Sequence, residues 1–229
     1  MNPERRILER DGFLALLGVL DPARLADVLP ELEGQIGTGS AGTRVGLGEI
    51  RGVREVLRSV QVRDVFHRLG LDGAFPTRLI LFDKSPGANW GVPWHQDLAI
   101  QVRRRIEVEG FTGWSSKQGI PHVLPPTVVL DAMVTLRIAL DACGSGDGPL
   151  RVLPGSHRFG RLDPAAIGRW KRSVEPVECT ARAGDAVLMR PLLLHASSPA
   201  RVPVRRRVLH VEWALGPLPG GLEWDSFEP

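Results

Sequence analysis

The sequence predicts a mainly β protein: a double-stranded β-helix core, jelly-roll or cupin-like, with N-terminal supporting helices. Two changes of texture carry that prediction. Up to about residue 73, apolar residues recur at helical spacing, and after Gly73 they fall into short β-like runs separated by turn signals. Helices first and many short strands afterwards suit a barrel braced from one side. A chain of 229 residues can bury a full core, and all-β barrels of this size commonly stay single. The expected organisation is therefore one domain over 1–229, with helical support in 1–73, a core in 74–216 and a candidate lid over 100–127.

Asp21-Pro22 starts the first expected helix, because Asp caps free N–H groups and Pro tolerates the first helical position. Leu25, Val28, Leu29 and Leu32 follow at helical spacing, with Gly34 or Gly37 as the stop. The Gly-rich stretch Thr38–Gly48 reads as a loop. Val53–Leu69 reads as one second helix, with Val56, Leu57, Val60 and Val65 on its apolar side. Strands are expected near Arg78–Phe82, Val92–Asp97, Met133–Leu140, Leu150–Leu153, Ala186–Met189, Leu192–Ala196 and Arg206–Ala214. Asp147-Gly148 and Gly184-Asp185 are turns, and Asp163-Pro164 opens a short helix reaching Trp170. The connection Ile100–Thr127 is too long for a plain hairpin, and loops of that length often act as lids.

Composition excludes more than it selects. The hydrophobic (43%) and charged (24%) fractions are those of an ordinary soluble protein. A net charge of +3 demands neither a nucleic-acid nor a membrane partner. The apolar run Phe13–Leu20 is short and lacks a signal-type cleavage site, and nothing approaches a membrane span. Cys143 and Cys179 form no framework, so reduced thiols in a cytoplasmic protein are expected. No oligomeric state is implied.

Chemistry concentrates in Trp94-His95-Gln96-Asp97. On a strand, His95 and Asp97 point to one face, placing an imidazole beside a carboxylate. His195 is the best third ligand, and two His with one carboxylate make the facial triad of non-haem Fe(II) oxygenases. On the last strand Leu209, Val211 and Trp213 share a face with Arg207, while Val208, His210 and Glu212 share one with Arg206. The apolar face should pack on the helices, so Arg206 should line the interior and hold a carboxylate with two parallel hydrogen bonds. Ser197, two residues past His195, would add a hydroxyl donor.

These residues, taken in order with Gly148-Pro149-Leu150-Arg151-Val152-Leu153-Pro154-Gly155-Ser156-His157, Gly184-Asp185-Ala186-Val187-Leu188 and the opening Asp11-Gly12-Phe13, resemble the phytanoyl-CoA dioxygenase family over nearly the whole chain. The resemblance implies an Fe(II)- and 2-oxoglutarate-dependent dioxygenase on a jelly-roll core, using O2 and releasing succinate and CO2. It implies His95, Asp97 and His195 as catalytic metal ligands. It also implies Arg206, eleven residues after the second His, with Ser197 as contacts of 2-oxoglutarate, and Gln96 near cosubstrate or substrate. Halogenating relatives lack the metal carboxylate; Asp97 is present, which favours hydroxylation. The length of 100–127, and Arg137 where the family carries an aromatic residue, point away from phytanoyl-CoA.

Arg137 sits on an inward-facing strand, and a guanidinium inside a barrel needs an anion. A small carboxylate-bearing substrate, an amino acid or related metabolite, is therefore expected at Arg137, with Trp114 and Lys117 as further candidate contacts from the lid. The competing reading pairs Arg137 with Asp131, Asp141 or Glu212. The remaining histidines are expected in plainer roles: His157 in loop hydrogen bonds, His67 and His122 at the surface, and His210 as an interior hydrogen-bonded residue. Arg103–Arg105 reads as a solvated face. A different class of function, a non-oxygenase cupin-like isomerase or ligand-binding sensor, would need no carboxylate anchor at Arg206 and Ser197.

Overall fold

The computed structural model describes residues 2–33, 35, 42–43, 47–202 and 204–227. An unanticipated helix, α1 (Pro3–Asp11), opens the chain; Asn2 accepts from the Glu4 N–H at 2.8 Å. The apolar run after it becomes strand β1 (Phe13–Leu16). Helix α2 (Pro22–Leu32) begins as expected, with the Asp21 carboxylate accepting from the Arg24 N–H, and buries Leu25, Val28 and Leu32. Gly34, Gly37 and most of Thr38–Gly48 lie outside the described residues; Gly42–Thr43 within that stretch form β2.

The single helix expected over Val53–Leu69 is two, α3 (Arg51–Arg58) and α4 (Val60–Arg68). Ser59 separates them with ψ 149°, and its side chain accepts from the Val62 N–H to cap α4. The break turns Val60 outward, 67% exposed, whereas Val56, Leu57 and Val65 are buried as expected.

The remaining elements are β3 (Phe75–Lys84), β4 (Val92–His95), β5 (Ile100–Gln101), β6 (Thr112–Lys117), β7 (Ile120–Leu124), α5 (Thr127–Asp131), β8 (Met133–Ala139), β9 (Leu150–Val152), α6 (Pro164–Ser173), β10 (Val177–Cys179), β11 (Ala186–Met189), β12 (His195–Ser197) and β13 (Arg206–Ala214). They build a six-stranded sheet in the order β1-β11-β8-β13-β3-β2, a four-stranded sheet β10-β9-β12-β4, and a three-stranded sheet β5-β7-β6. The first two are the antiparallel layers of the jelly roll. β11 and β13 have the expected bounds. The strand expected at Leu192–Ala196 starts only at His195, with Leu192–Leu194 buried ahead of it.

Alternation explains why the large sheet is central. Its outer face carries Leu79, Leu81, Leu136, Ile138, Leu209, Val211 and Trp213, all packed in one core with the apolar stripes of α2, α3 and α4. Burying each such side chain is worth about 1.5–3 kcal/mol. Its inner face carries polar groups: Arg78 and Lys84 on β3, Arg137 on β8, and Arg206, His210 and Glu212 on β13. Between the two jelly-roll layers Leu150 and Val152 pack on Val187 and Met189. Gly184 shapes the turn into β11 at φ 90°, where a Cβ would stand 2.2 Å from the Leu20 carbonyl oxygen. Asp185 beside it accepts from the Gly18 and Arg182 N–H groups, each at 2.8 Å.

The stretch 100–127, expected as a lid, is folded into β5, β6 and β7. Ile100, Val102, Phe111 and Val123 are buried in a second core with Leu218, Leu222 and Trp224 of the C-terminal segment. A stretch holding a core of its own is an added sheet rather than a loose cover. His122, expected at the surface, is fully buried there, its Nδ1 2.9 Å from the Ile120 carbonyl oxygen. The Arg103–Arg105 run is solvated as expected, paired with Glu223 and Glu107. No helix among the described residues is long and apolar enough to cross a membrane.

Candidate active site

A cavity of about 260 Å³ opens between the two jelly-roll layers. β4 and β12 pair with His95 directly opposite His195, so both rings enter it from the small sheet; their centroids are 4.1 Å apart. Asp97 lies two residues past the end of β4 and is fixed by its own N–H donating to the Pro191 carbonyl at 2.9 Å. One atom from each of His95, Asp97 and His195 falls within 4.8 Å of the others. His95 Nε2 is 3.8 Å from Asp97 Oδ1, and His195 Nε2 is 3.7 Å from Asp97 Oδ2.

The hydrogen bonds behind these rings decide what the atoms can do. His95 Nδ1 donates to the Pro93 carbonyl at 2.8 Å and His195 Nδ1 to the Leu193 carbonyl at 2.9 Å. A carbonyl oxygen only accepts, so Nδ1 holds the proton and Nε2 of each neutral ring presents a lone pair toward Asp97. Burial pushes His195 down to about 4, which keeps it neutral. Burial opposes the Asp97 charge, but the basic groups around it, with the permanently charged Arg78 guanidinium among them, outweigh it and hold the carboxyl well below the usual range. Asp97 Oδ2 is buried without a hydrogen-bond partner. Two lone pairs and an orphaned carboxylate oxygen converging on one point fit a divalent cation with nitrogen and oxygen ligands.

A second group with ligand-type atoms, Asp97, His210 and Glu212, adjoins the first. It does not fit a metal. Arg137 Nη1 donates to His210 Nδ1 at 2.7 Å, so the proton of that ring is on Nε2, 3.5 Å from Glu212 Oε1. Glu212 is itself paired with Arg78. Arg137, His210, Glu212 and Arg78 thus form a buried polar chain that braces the floor of the cavity, as expected for an interior histidine.

Arg206 faces the cavity with Val208 and His210. It is 7% exposed, its Nη1 reaches only the Cys143 thiol at 3.4 Å, and its Nε has no partner. Arg207 on the other face is tied to Asp141 and Glu33. Ser197, Arg137 and Lys117 line the same cavity. Arg137 takes none of the carboxylates weighed for it: Asp141 serves Arg207 and Glu212 serves Arg78. Its contacts are His210 and the face of Phe82, 5.5 Å away. Burial lowers it to about 10, and it remains charged at neutral pH.

Two expected contacts are corrected. Gln96 is turned away from the cavity by the alternation that turns His95 and Asp97 inward. Its Nε2 donates to the Gly160 and Leu192 carbonyls and its Oε1 accepts from the Leu162 N–H, which uses the amide in bracing loops. Trp114 packs beside the second core with Arg105 5.4 Å above its ring, away from the cavity. The wall also includes residues that the sequence reading does not assign to the site, Phe82, Lys84 and Trp90 among them. Continuing the inward parity of Arg78 and Phe82 by one step would have reached Lys84.

The model of the phytanoyl-CoA dioxygenase family matches residues 8–208. The chain belongs to the phytanoyl-CoA dioxygenase family. No curated protein sequence matches it. Among solved structures, AviO1 from Streptomyces viridochromogenes Tue57 is similar at 22% identity and TM-score 0.64, over 94% of this chain and 96% of that one. The α-ketoglutarate-dependent carbocyclase SnoK from nogalamycin biosynthesis is similar at 16% identity and TM-score 0.68, over 92% and 82%. EctD from S. alaskensis, solved with 2-oxoglutarate and 5-hydroxyectoine, is similar at 16% identity and TM-score 0.67, over 92% and 74%. At these identities the solved structures share the family's jelly-roll fold.

Proposed function

We propose that this member of the family is an Fe(II)- and 2-oxoglutarate-dependent oxygenase that hydroxylates a small carboxylate-bearing molecule in the cytoplasm, with no nucleic-acid or membrane partner. The observation that carries the reading is the pairing, in one cavity, of two Nε2 lone pairs and an orphaned carboxylate with a buried guanidinium, Arg206, that has no carboxylate partner among the described residues. A non-oxygenase metal protein would need the first set and has no use for the second.

In this reading His95, Asp97 and His195 hold the iron. When bound, iron and 2-oxoglutarate supply the oxidising chemistry, with O2 as oxidant and succinate and CO2 as co-products. The chain's own contribution is placement. Nδ1–H bonds fix both imidazoles in the ligating tautomer. Arg206 and the Ser197 hydroxyl receive the far carboxylate of 2-oxoglutarate. Arg137, held by His210 and Phe82, offers its remaining N–H groups to a substrate carboxylate, so that one C–H is oriented toward the metal. Lys117, at the β6–β7 turn, approaches from the mouth of the cavity.

The test is a screen of amino acids and related acids for substrate-dependent succinate release, with the product analysed by mass. The proposal expects gain of one oxygen atom by a carboxylate-bearing substrate. Product of unchanged composition, or loss of two hydrogens, would instead mean epimerisation or ring closure. No succinate from any acid, with Fe(II) bound, would remove the oxygenase reading.

A further inference from the structure

Where α3 meets α4, a second cleft of about 600 Å³ opens against the start of β3 and the end of β13. Leu57, Phe66, Phe75, Pro76 and Trp213 give it an apolar lining. Val60, turned outward by the break at Ser59, belongs to the same wall and leaves more apolar surface open to solvent. Trp213 is on the outer face of β13, whose inner face carries His210 into the metal cavity. The large sheet therefore separates the two spaces, and no residue lines both.

The charges of this cleft are unevenly matched. Its two carboxylates are taken, Asp64 by Arg68 at 3.0 Å and Asp72 by His67 at 2.6 Å. Arg58 and Arg63 flank the Ser59 corner, and their guanidinium groups pair with no described residue. An apolar cleft edged by two uncommitted cations is complementary to a molecule with an apolar body and an anionic head. Size narrows the class. Pockets of roughly 300–1,000 Å³ take single small molecules, whereas a stable protein partner covers roughly 800 Å² on each side.

We propose that this cleft is a second binding site, for a small amphiphilic carboxylate of the fatty-acid class. The chain of the ligand lies against the apolar lining, and Arg58 and Arg63 meet its carboxylate at the Ser59 corner. Ion pairs at an exposed rim are weak, so the buried chain supplies most of the affinity and the arginines select the head group. The inference does not rest on the oxygenase reading, because the two sites share no residue.

The experiment is calorimetric titration of the full chain, with Mn(II) and 2-oxoglutarate present, against hexanoate, octanoate, decanoate and decyltrimethylammonium, all below micelle formation. Decanoate should bind once per chain, and removal of each two methylenes should weaken it about tenfold. The cation of equal chain length should bind more weakly. The double variant Arg58→Gln/Arg63→Gln should weaken decanoate about three- to tenfold and remove its advantage over the cation. Val60→Glu, which adds a like charge to the rim, should weaken decanoate as well. All three positions are exposed, and circular dichroism verifies the fold of both variants. Arg137→Ala should leave decanoate binding unchanged; a loss there would put the amphiphile in the metal cavity and overturn the proposal. Absence of decanoate binding, equal affinity for the cation, or unchanged affinity in the double variant also overturns it. Binding of a synthetic Leu/Glu amphipathic peptide where decanoate fails would make the cleft a protein-binding surface instead.

Discussion

Arg137 Nη1 donates to His210 Nδ1 across 2.7 Å, so a buried cation rests on a neutral ring. The contact sets the polarity of that ring. His210 keeps its proton on Nε2, toward Glu212, while His95 and His195, with Nδ1 bound to backbone carbonyls, present lone pairs toward Asp97. Three histidines of the cavity, two on paired strands of the small sheet and one on the large sheet, are thus divided by their neighbours into two with free lone pairs and one without.

Arg137 is held but not neutralised, which makes it the group for a substrate carboxylate. Arg137→Ala should retain 2-oxoglutarate consumption without substrate and lose substrate-stimulated turnover by about a hundredfold or more. Paired assays with and without substrate measure this. Parallel loss of both activities together with a lower melting temperature would assign Arg137 a purely structural role.

The tautomer argument also predicts what His210 does not do. His210→Gln should retain one bound metal ion per chain by elemental analysis, whereas Asp97→Ala should not. A His210→Gln protein that loses its metal would place His210 among the ligands.

Gln96 is predicted to matter for stability. Gln96→Ala removes three hydrogen bonds and leaves the Leu162 N–H and the Gly160 and Leu192 carbonyls without that partner. The cost should be about 1–3 kcal/mol in chemical denaturation. 2-Oxoglutarate affinity of the folded fraction should not change; a selective loss of affinity at unchanged stability would return Gln96 to the cavity.

Lys84 gives the apo-protein a pH signature. Its folded value of about 8 lies below the ordinary 10.5, so between those values the folded state releases a proton that the unfolded chain keeps. Stability should therefore rise with pH across that window and be independent of this group below it. Denaturation midpoints of wild type and Lys84→Met, compared from pH 8 to 10.5, should converge as the wild type gains. A constant difference would mean that Lys84 does not titrate there.

The sequence made legible whatever depends on local parity. His95 and Asp97 share a face, Arg206 and Arg207 point to opposite ones, and β11 and β13 were readable to the residue. Gln96 obeys that same parity, which turns it away from the cavity and against the expectation of a cosubstrate contact. What needs register was hidden: Lys84 meets Arg206 only because β3 pairs with β13 in one alignment. The break at Ser59 leaves the apolar period of α3 and α4 almost intact, so periodicity could not show it. β6 is exposed at five of its six positions and carries no alternation to read, which is why 100–127 looked like a loop.

The central claim is that His95, Asp97 and His195 hold one iron. Anaerobic equilibrium dialysis of the apo-protein with Fe(II) tests it directly, comparing wild type with His195→Ala after both are shown to be folded by circular dichroism. The account predicts one Fe(II) per wild-type chain and affinity lower by more than about a hundredfold in the variant. One equivalent bound by a folded His195→Ala protein at wild-type affinity would contradict it.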